Sequence, residues 1–477
     1  MTRFQFVLLW SDFLLWLLVF LSFAFMAYAA RNPEWRRAFA RLGQSRTATA
    51  AASALLFFSV LGLLDSVHYR ERLMPAPETQ LTPAAETAAE EMPARYSVEL
   101  TSLLDALLTG LRASEEKTYS APLAVRLYAM EARETKNGIE RIYPRLKHGG
   151  ARLKNENERG TRILRHLASA LLLTLLVCGS LFCFWKWRRN RASENAGDKE
   201  KTSAGFAWSG VFSVFSVLLF LCLSAFFLSA DFHALGTDKV GQDVLYQSLK
   251  SVRAALVIGL VTTLIMTPFA VLLGIAAGFF RGWIDDLVQY VYTVINSIPS
   301  VLLIAASALS MQIIIDAHPQ WFSTAAERAD IRLLALCAIL GMTSWTSLAR
   351  LLRGETLKLS ELEYVQAARA FGVSPLRIIF RHILPNLMHI VLITLVMDFS
   401  ALVLAEAVLS YVGIGVDPTM MSFGAMINNA RMELSRDPAV WWSLTAAFVF
   451  MLTLVLAANL FADAVRDAFD PRQQKQR

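Results

Sequence analysis

Residues 363–386 read EYVQAARAFGVSPLRIIFRHILPN, two short helical stretches joined by a glycine, with charges in both and long apolar runs on either side. The span Glu361 to Phe371 has helix-forming residues with Val365, Ala368 and Phe371 on one side. Gly372 suits the left-handed conformation that stops a helix. Ser374 is placed to cap a second helix, and Pro375 fits its first turn, where a missing N–H costs nothing. Leu376, Ile379, Phe380 and Ile383 then form an apolar stripe from which Arg377 and Arg381 project elsewhere, and Leu384-Pro385 is expected to end the helix. The chemistry such a hairpin offers is docking: small side chains such as Ala367 and Ala368 let another backbone come close. A helix–turn–helix with arginines also suits DNA, but one tethered to apolar runs at both ends cannot enter a major groove. A purely structural hairpin at the membrane surface remains as the alternative.

Other residues invite chemistry less strongly. Asp398 and Glu406 interrupt an apolar run; at the centre of a membrane span an acid costs roughly 2.5–3.5 kcal/mol, so each is expected to face protein or a wet cavity. They read either as the lining of a solute path or as packing hydrogen bonds. In LGTDKVGQDVLY (235–246), Gly236, Asp238, Gly241 and Asp243 have the spacing of a structured turn, and two carboxylates alone make a poor calcium site. Cys178, Cys183, Cys222 and Cys337 all lie in apolar blocks without metal or redox spacing. No G-x-x-x-x-G-K-[ST] loop, nucleophile elbow or His/Cys/carboxylate cluster is present, so neither catalytic nor metal-ligating residues are assigned.

The elements that position these residues follow from composition. The 477 residues are 55% hydrophobic, and the apolar residues come in unbroken blocks long enough to cross a bilayer of roughly 30 Å. A β-barrel would alternate instead. Nine spans are expected, at about 8–30, 48–66, 166–185, 206–230, 253–280, 286–313, 332–352, 388–413 and 439–462. Asn296 and Pro299 are expected to kink the sixth. Arginines after the first span (31, 36, 37, 41, 46), the basic edge of KWRRNRASENAGDKEK and the tail RDAFDPRQQKQR place these loops inside, with the N-terminus outside. Ala27-Tyr28-Ala29 resembles a signal-peptide cleavage site, but the five arginines that follow resist export. The net charge of +7 fits such loops better than a nucleic-acid partner.

Between spans two and three, 67–165 reads as an external domain: a Pro/Ala/Glu-rich linker, then leucines at 100, 103, 104, 107, 108 and 111 in a helical stripe, then a charged stretch more helical than extended. His148 has no metal-ligand spacing there. The division is 1–66, two spans; 67–165, the external mostly helical domain; 166–205, a third span and basic linker; 206–471, a six-span core with the hairpin within 353–386; and 472–477, a tail. Spans one and three are almost purely apolar, with Trp10, Trp16, Trp185 and Trp187 near the expected interfaces, as lipid-facing anchors outside any solute path would be.

QAARAFG followed by RHILPN resembles the EAA loop of bacterial ABC-importer permeases, and the whole of 363–386 is similar to that of the dipeptide/oligopeptide permease family. HALGTDKVGQDVLYQSLKSVRAAL at 233–256, VLAEAVLSYVGIGV at 403–416 and NLFADAVRDAFDP at 459–471 agree with the same family in order and spacing. The resemblance covers about 206–471 and implies an all-α permease core that couples through Glu363, Gln366, Ala367, Ala368, Gly372, Arg377, Arg381 and Pro385 to two separate ATPase subunits. It also implies a homologous permease partner, an external solute-binding protein near 235–246, a peptide-like solute, and ATP and magnesium held only by the ATPases. Gln366 stands where the loop's eponymous glutamate belongs, with Glu363 nearby as a substitute. The first 200 residues lie outside the family pattern. Import of nickel complexes or antimicrobial peptides fits the same motifs. A receptor would need a cytoplasmic signalling domain, and a secondary transporter inverted repeats; neither is visible.

Overall fold

The computed structural model describes residues 4–72, 96–135, 138–195, 206–322 and 324–469. The N-terminal part runs β1 (Phe4–Val7), α1 (Trp10–Arg31), α2 (Pro33–Gln44), α3 (Arg46–Asp65) and β2 (His68–Glu71). Then come β3 (Thr101–Ser102), α4 (Leu103–Leu107), α5 (Thr109–Ala113), β4 (Glu131–Thr135), β5 (Gly138–Ile142) and α6 (Arg159–Asn195). The C-terminal part begins α7 (Trp208–Ser229), α8 (Val244–Phe280), α9 (Trp283–Ser297), α10 (Ser300–Ala317) and α11 (Ala325–Ser360). It ends with α12 (Glu363–Ala370), α13 (Pro375–Ile378), α14 (Leu384–Val412), α15 (Phe423–Glu433) and α16 (Trp442–Phe469). Among the described residues, nine helical segments are long and apolar enough to cross a membrane. The protein is an all-α membrane protein.

Two faces of the bundle can be told apart by contacts. β1 pairs antiparallel with β2, and β2 with β3, so the start of α1 and the end of α3 share one face. The opposite face carries α2, whose Trp35 ring meets Phe469 at the end of α16 at 5.0 Å. The 230–243 loop and the start of α16 return to the first face, where Trp442 packs on Tyr128 with ring centroids 4.8 Å apart. The nine long apolar segments among the described residues run between these faces, and the 361–383 hairpin lies on the second.

The longest buried helix is α8, and α11 runs close beside it. The spacing Gly274–Gly278 makes this possible: an added Cβ at these positions would stand 2.6 Å from the Ala349 carbonyl and 2.7 Å from that of Arg353. Small residues four apart let two spanning helices approach backbone to backbone.

Two expectations are corrected here. The sixth span, read as one element over 286–313, is two helices. Ile298 takes an extended backbone (ψ 132°), as a residue before proline must, and α10 begins at Ser300 after Pro299. Among its described residues the 67–165 segment is not mostly helical: its leucine stripe forms only the short α4 and α5, with Leu104 buried and Leu107 exposed, because Leu108 (ψ 20°) breaks the run. Its 131–142 stretch is a β-hairpin, paired from Glu131–Ile142 to Thr135–Gly138.

Spans one and three are expected to be outward-facing anchors, and α1 does leave most of its surface exposed, Trp10 and Trp16 included. One side of α1, and more of α3, nevertheless meet the core. Leu15 joins Val257, Ile258 and Leu333 in one buried cluster, and Phe58 joins Leu256, Phe399 and Leu454 in another. At the first-face end, Arg253 of α8 donates to Asp12 of α1, and Lys250 bonds both oxygens of Asp105 at 2.8 and 2.9 Å. Helix α6 is peripheral, packed chiefly against α7 and baring Leu171, Leu172, Leu175 and Leu176.

Candidate functional site: the second-face hairpin

The hairpin is built on a buried apolar floor. Val365 of α12 and Ile378, Ile379 and Ile383 of the second limb sink among Phe279, Val288, Tyr292, Trp345 and Leu352. Ala368 is half-buried against the same floor, while Ala367 is exposed. Gly372 closes α12 with φ +71°, its N–H donating to Arg369 O at 3.0 Å while Val373 N–H donates to Ala368 O at 3.1 Å. These are the two bonds of a Schellman stop, and they fix the angle between the limbs.

The second limb departs from expectation in three ways. Ser374 makes no side-chain capping bond, although Pro375 does occupy the first turn. The inward residues are Ile378, Ile379 and Ile383; Leu376, Phe380 and, in the first limb, Phe371 point outward, Phe371 being 87% exposed. The stripe shifts because the limb widens over Ile379–Ile383, where Leu384 N–H reaches Ile379 O five residues back. Pro385 therefore does not end the helix. It sits in the first turn of α14, and the widened turn takes up its missing N–H, so limb and span are continuous.

The outward surface combines Leu362, Tyr364, Phe371, Leu376 and Phe380 with Ala367 and Ala370. Exposed Glu363, Arg377 and Arg381 border it. Glu363 lies in the first turn of α12, where a carboxylate complements the helix dipole. Gln366 Nε2 donates to the Glu361 carbonyl at 3.2 Å and to its carboxylate at 3.3 Å. Glu361 in turn pairs with Arg281 at the α8–α9 turn, and this guanidinium pulls the exposed carboxyl below its usual range. What stands where the glutamate was expected is thus an amide leaning on a neighbouring acid.

Further braces tie the hairpin and the helices beneath it together. Arg353 grips Asp285 through two nitrogens, the second at 2.7 Å, and lowers its pKa. Arg369 stacks 4.4 Å over the Phe279 ring and donates to the Phe279 carbonyl at 3.4 Å. Arg281 and Gly282 take φ +57° and +58°, a tight reversal at the helix junction. Sequence reasoning missed Arg281, Asp285, Arg353 and Glu361; the signal was FFRGWIDD, charges crowding a glycine at a span's end.

The acids of α14 part company. Glu406 is buried, and Ser410 Oγ (2.7 Å) and Ser422 Oγ (3.0 Å) both donate to its Oε1. Ser422 also caps α15 by accepting from Ala425 N–H, so Glu406 ties α15 to α14. Within this chain it is 2% exposed, and these bonds are those of a helix-packing residue. Asp398 is half-buried and makes no hydrogen bond to a described residue.

The 236–243 turn is fixed rather than open. Asp238 accepts from Val240 N–H (3.0 Å), Gln242 N–H (2.9 Å) and Gln247 Nε2 (2.6 Å); Asp243 caps α8 through Leu245 N–H at 2.8 Å. Gly236 (φ +78°) and Gly241 (φ +84°) seat against the backbone of Ser120 and Glu116. Glu116 accepts the N–H groups of Lys147, His148 and Gly149 at 2.9, 2.7 and 3.0 Å. The N-terminal addition thereby covers this turn.

The family model for the binding-protein-dependent transport system inner membrane component matches residues 270–475. Three curated relatives each match about half of the chain. The oligopeptide transport system permease protein OppC of Mycobacterium tuberculosis is 33% identical over 245 residues, 51% of this chain and 78% of its own length. The glutathione transport system permease protein GsiD of Pectobacterium atrosepticum is 31% identical over 240 residues, 50% and 73% respectively. The dipeptide transport system permease protein DppC of Lactococcus lactis is 29% identical over 242 residues, 51% and 64%. With a multi-pass helical bundle, a braced hairpin and these relatives, the chain belongs to the family of binding-protein-dependent transport system inner membrane components.

Proposed function

We propose that this chain is a membrane-spanning permease subunit of an ATP-driven importer for peptides or peptide-like solutes. It would work with a homologous permease, two ATPase subunits that hold ATP and magnesium, and an external solute-binding protein. The observation that carries this reading is the hairpin: an apolar, small-residue surface left outward on a stop-capped, ion-paired support that runs unbroken into α14. A push on Phe371 or Leu376 would pass through Val365 and Ile378 to α8, α9 and α11 without crossing a loop. Relatives named for oligopeptides, glutathione and dipeptides support the solute class.

The topology in this reading has the hairpin, α2 and the C-terminus cytoplasmic and the N-terminus outside, supported by arginines 31, 36, 37, 41 and 46 at the second face. The test is reconstitution of the complete complex in proteoliposomes with labelled peptide. ATP-dependent uptake that requires the solute-binding protein is the expected result. Uptake without ATP, or ATP turnover indifferent to solute, would refute the assignment.

A further inference from the structure

We propose that α2 is a binding surface for anionic phospholipid headgroups, built by the N-terminal addition at the second face. The helix PEWRRAFARLGQ joins two spans and has two dissimilar sides. Leu42 is buried and Phe39 half-buried against Val465, Ala468 and Phe469, the half-buried Trp35 ring meets Phe469, and Ala38 is buried. Its outer side, with the flanking span ends, shows the exposed guanidiniums of Arg31, Arg36, Arg37, Arg41 and Arg46. None of the five forms an ion pair with a described carboxylate; Arg41 alone has another duty, donating to the Ala468 carbonyl at 3.4 Å.

The level of the helix commits it to lipid. Ala207 N–H donates to Gly43 O at 2.7 Å, which sets the start of α7 against the end of α2. Around that point Phe206 packs on Trp208 at 4.9 Å, and Trp185 on Phe212 at 6.0 Å. Trp187 and Trp208 are exposed on their outer sides. Indole rings gather at the boundary between acyl chains and headgroups. Arginines held beside that belt lie at the depth of lipid phosphates, where each basic residue favours anionic lipid by about fivefold. A planar guanidinium also pairs with phosphate through two N–H donors.

The full-length chain would be reconstituted in nanodiscs of phosphatidylcholine carrying a minority of dibrominated phosphatidylglycerol or dibrominated phosphatidylcholine. Quenching due to Trp35 is the difference between wild type and Trp35→Phe. Quenching at least about tenfold more effective with the brominated phosphatidylglycerol is expected, with that preference falling by at least about fivefold in the triple variant R36Q/R37Q/R46Q, which spares Arg31 and Arg41. The lysine variant R36K/R37K/R46K should keep most of the preference, and single Arg→Gln variants a graded part of it, which serves if the triple variant does not fold. Equal quenching by the two lipids in wild type overturns the proposal, as does an unchanged preference in the triple variant. Displacement by inorganic phosphate would make the site a free-anion site. Loss of ATPase co-purification with lipid preference intact would make it a protein contact; either outcome also overturns the proposal.

Discussion

Arg253 of α8 and Asp12 of α1 meet at 2.7 Å, both buried, at the boundary between the N-terminal addition and the family core. Ser11 accepts from the same guanidinium at 2.9 Å and bonds Asp330 of α11, while His68 Nδ1 lies 2.8 Å from the second Asp12 oxygen. Three helices and a strand are therefore fastened by one set of charges. Removing one partner strands the other in a dry setting, which typically costs about 3–5 kcal/mol. Asp12→Ala should sharply lower the detergent melting temperature, and the double variant Asp12→Leu/Arg253→Leu should recover much of the loss. A single variant as stable as wild type would show the pair to be dispensable.

The first-face lock should depend on pH. His233 stands between Asp243 (2.8 Å) and Glu116 (3.4 Å). Burial opposes its charge, but the two carboxylates prevail and lift its pKa to about 9. A raised histidine pKa means stability present in full below the unfolded value of 6.5 and lost as pH rises through about 9. Glu116 moves the other way: burial raises it, yet His233 and three backbone N–H groups hold it at about 2, so its contribution stands above 4.5 and fades toward about 2. Melting temperature measured against pH should decline on the alkaline side between those histidine values, and His233→Gln should flatten that limb.

Docking and folding should separate at the hairpin. Phe371→Glu and Leu376→Glu alter exposed side chains, so the permease should keep its melting temperature while ATPase co-purification is lost. Gly372→Ala should cost about 1 kcal/mol, since open space surrounds the site and only its positive φ is strained. Ala368→Glu is the less discriminating variant, because Ala368 packs on the floor. Full ATPase binding by Phe371→Glu would move the docking surface elsewhere.

The two acids of α14 should answer differently to amides. Glu406→Gln retains an oxygen for Ser410 and Ser422 and should fold; Glu406→Ala leaves two buried hydroxyl protons without this acceptor and should lose about 1–3 kcal/mol. Asp398→Asn should leave stability unchanged and lower uptake, measured in proteoliposomes. Normal uptake by Asp398→Asn would remove it from the solute path.

Cysteines placed at Arg377 and Arg381 should resist an impermeant thiol reagent applied outside intact cells and label readily after the membrane is opened. Both positions are exposed on the protein, so failure to label from outside reports sidedness rather than burial. Labelling from outside would invert the arrangement.

Much of this was legible in the chain. Hydropathy alone located nine spans, since unbroken apolar runs have few alternatives, and Gly372 announced its stop because few other residues tolerate φ +71°. What stayed hidden depends on partners distant in sequence. Which way Leu376 and Ile378 face is set by the widened turn before Pro385, not by a regular helical period. Whether Glu406 is packed or open depends on Ser422, sixteen residues on, and Arg281 matters only because Glu361 folds back to it. The 67–165 segment misled most, because short strands paired with β1 and with each other leave little periodic trace.

Gly241 has a consequence for engineering. An added Cβ there would lie 1.8 Å from the Glu116 carbonyl, and at Gly236 it would lie 2.4 Å from that of Ser120. Both residues also take positive φ, which favours glycine whatever packs above the turn. The seam is closed twice over, by conformation and by space. A chimera that carries residues 1–205 onto a relative's six-span half should therefore seat the addition only where the recipient turn holds glycine at both places.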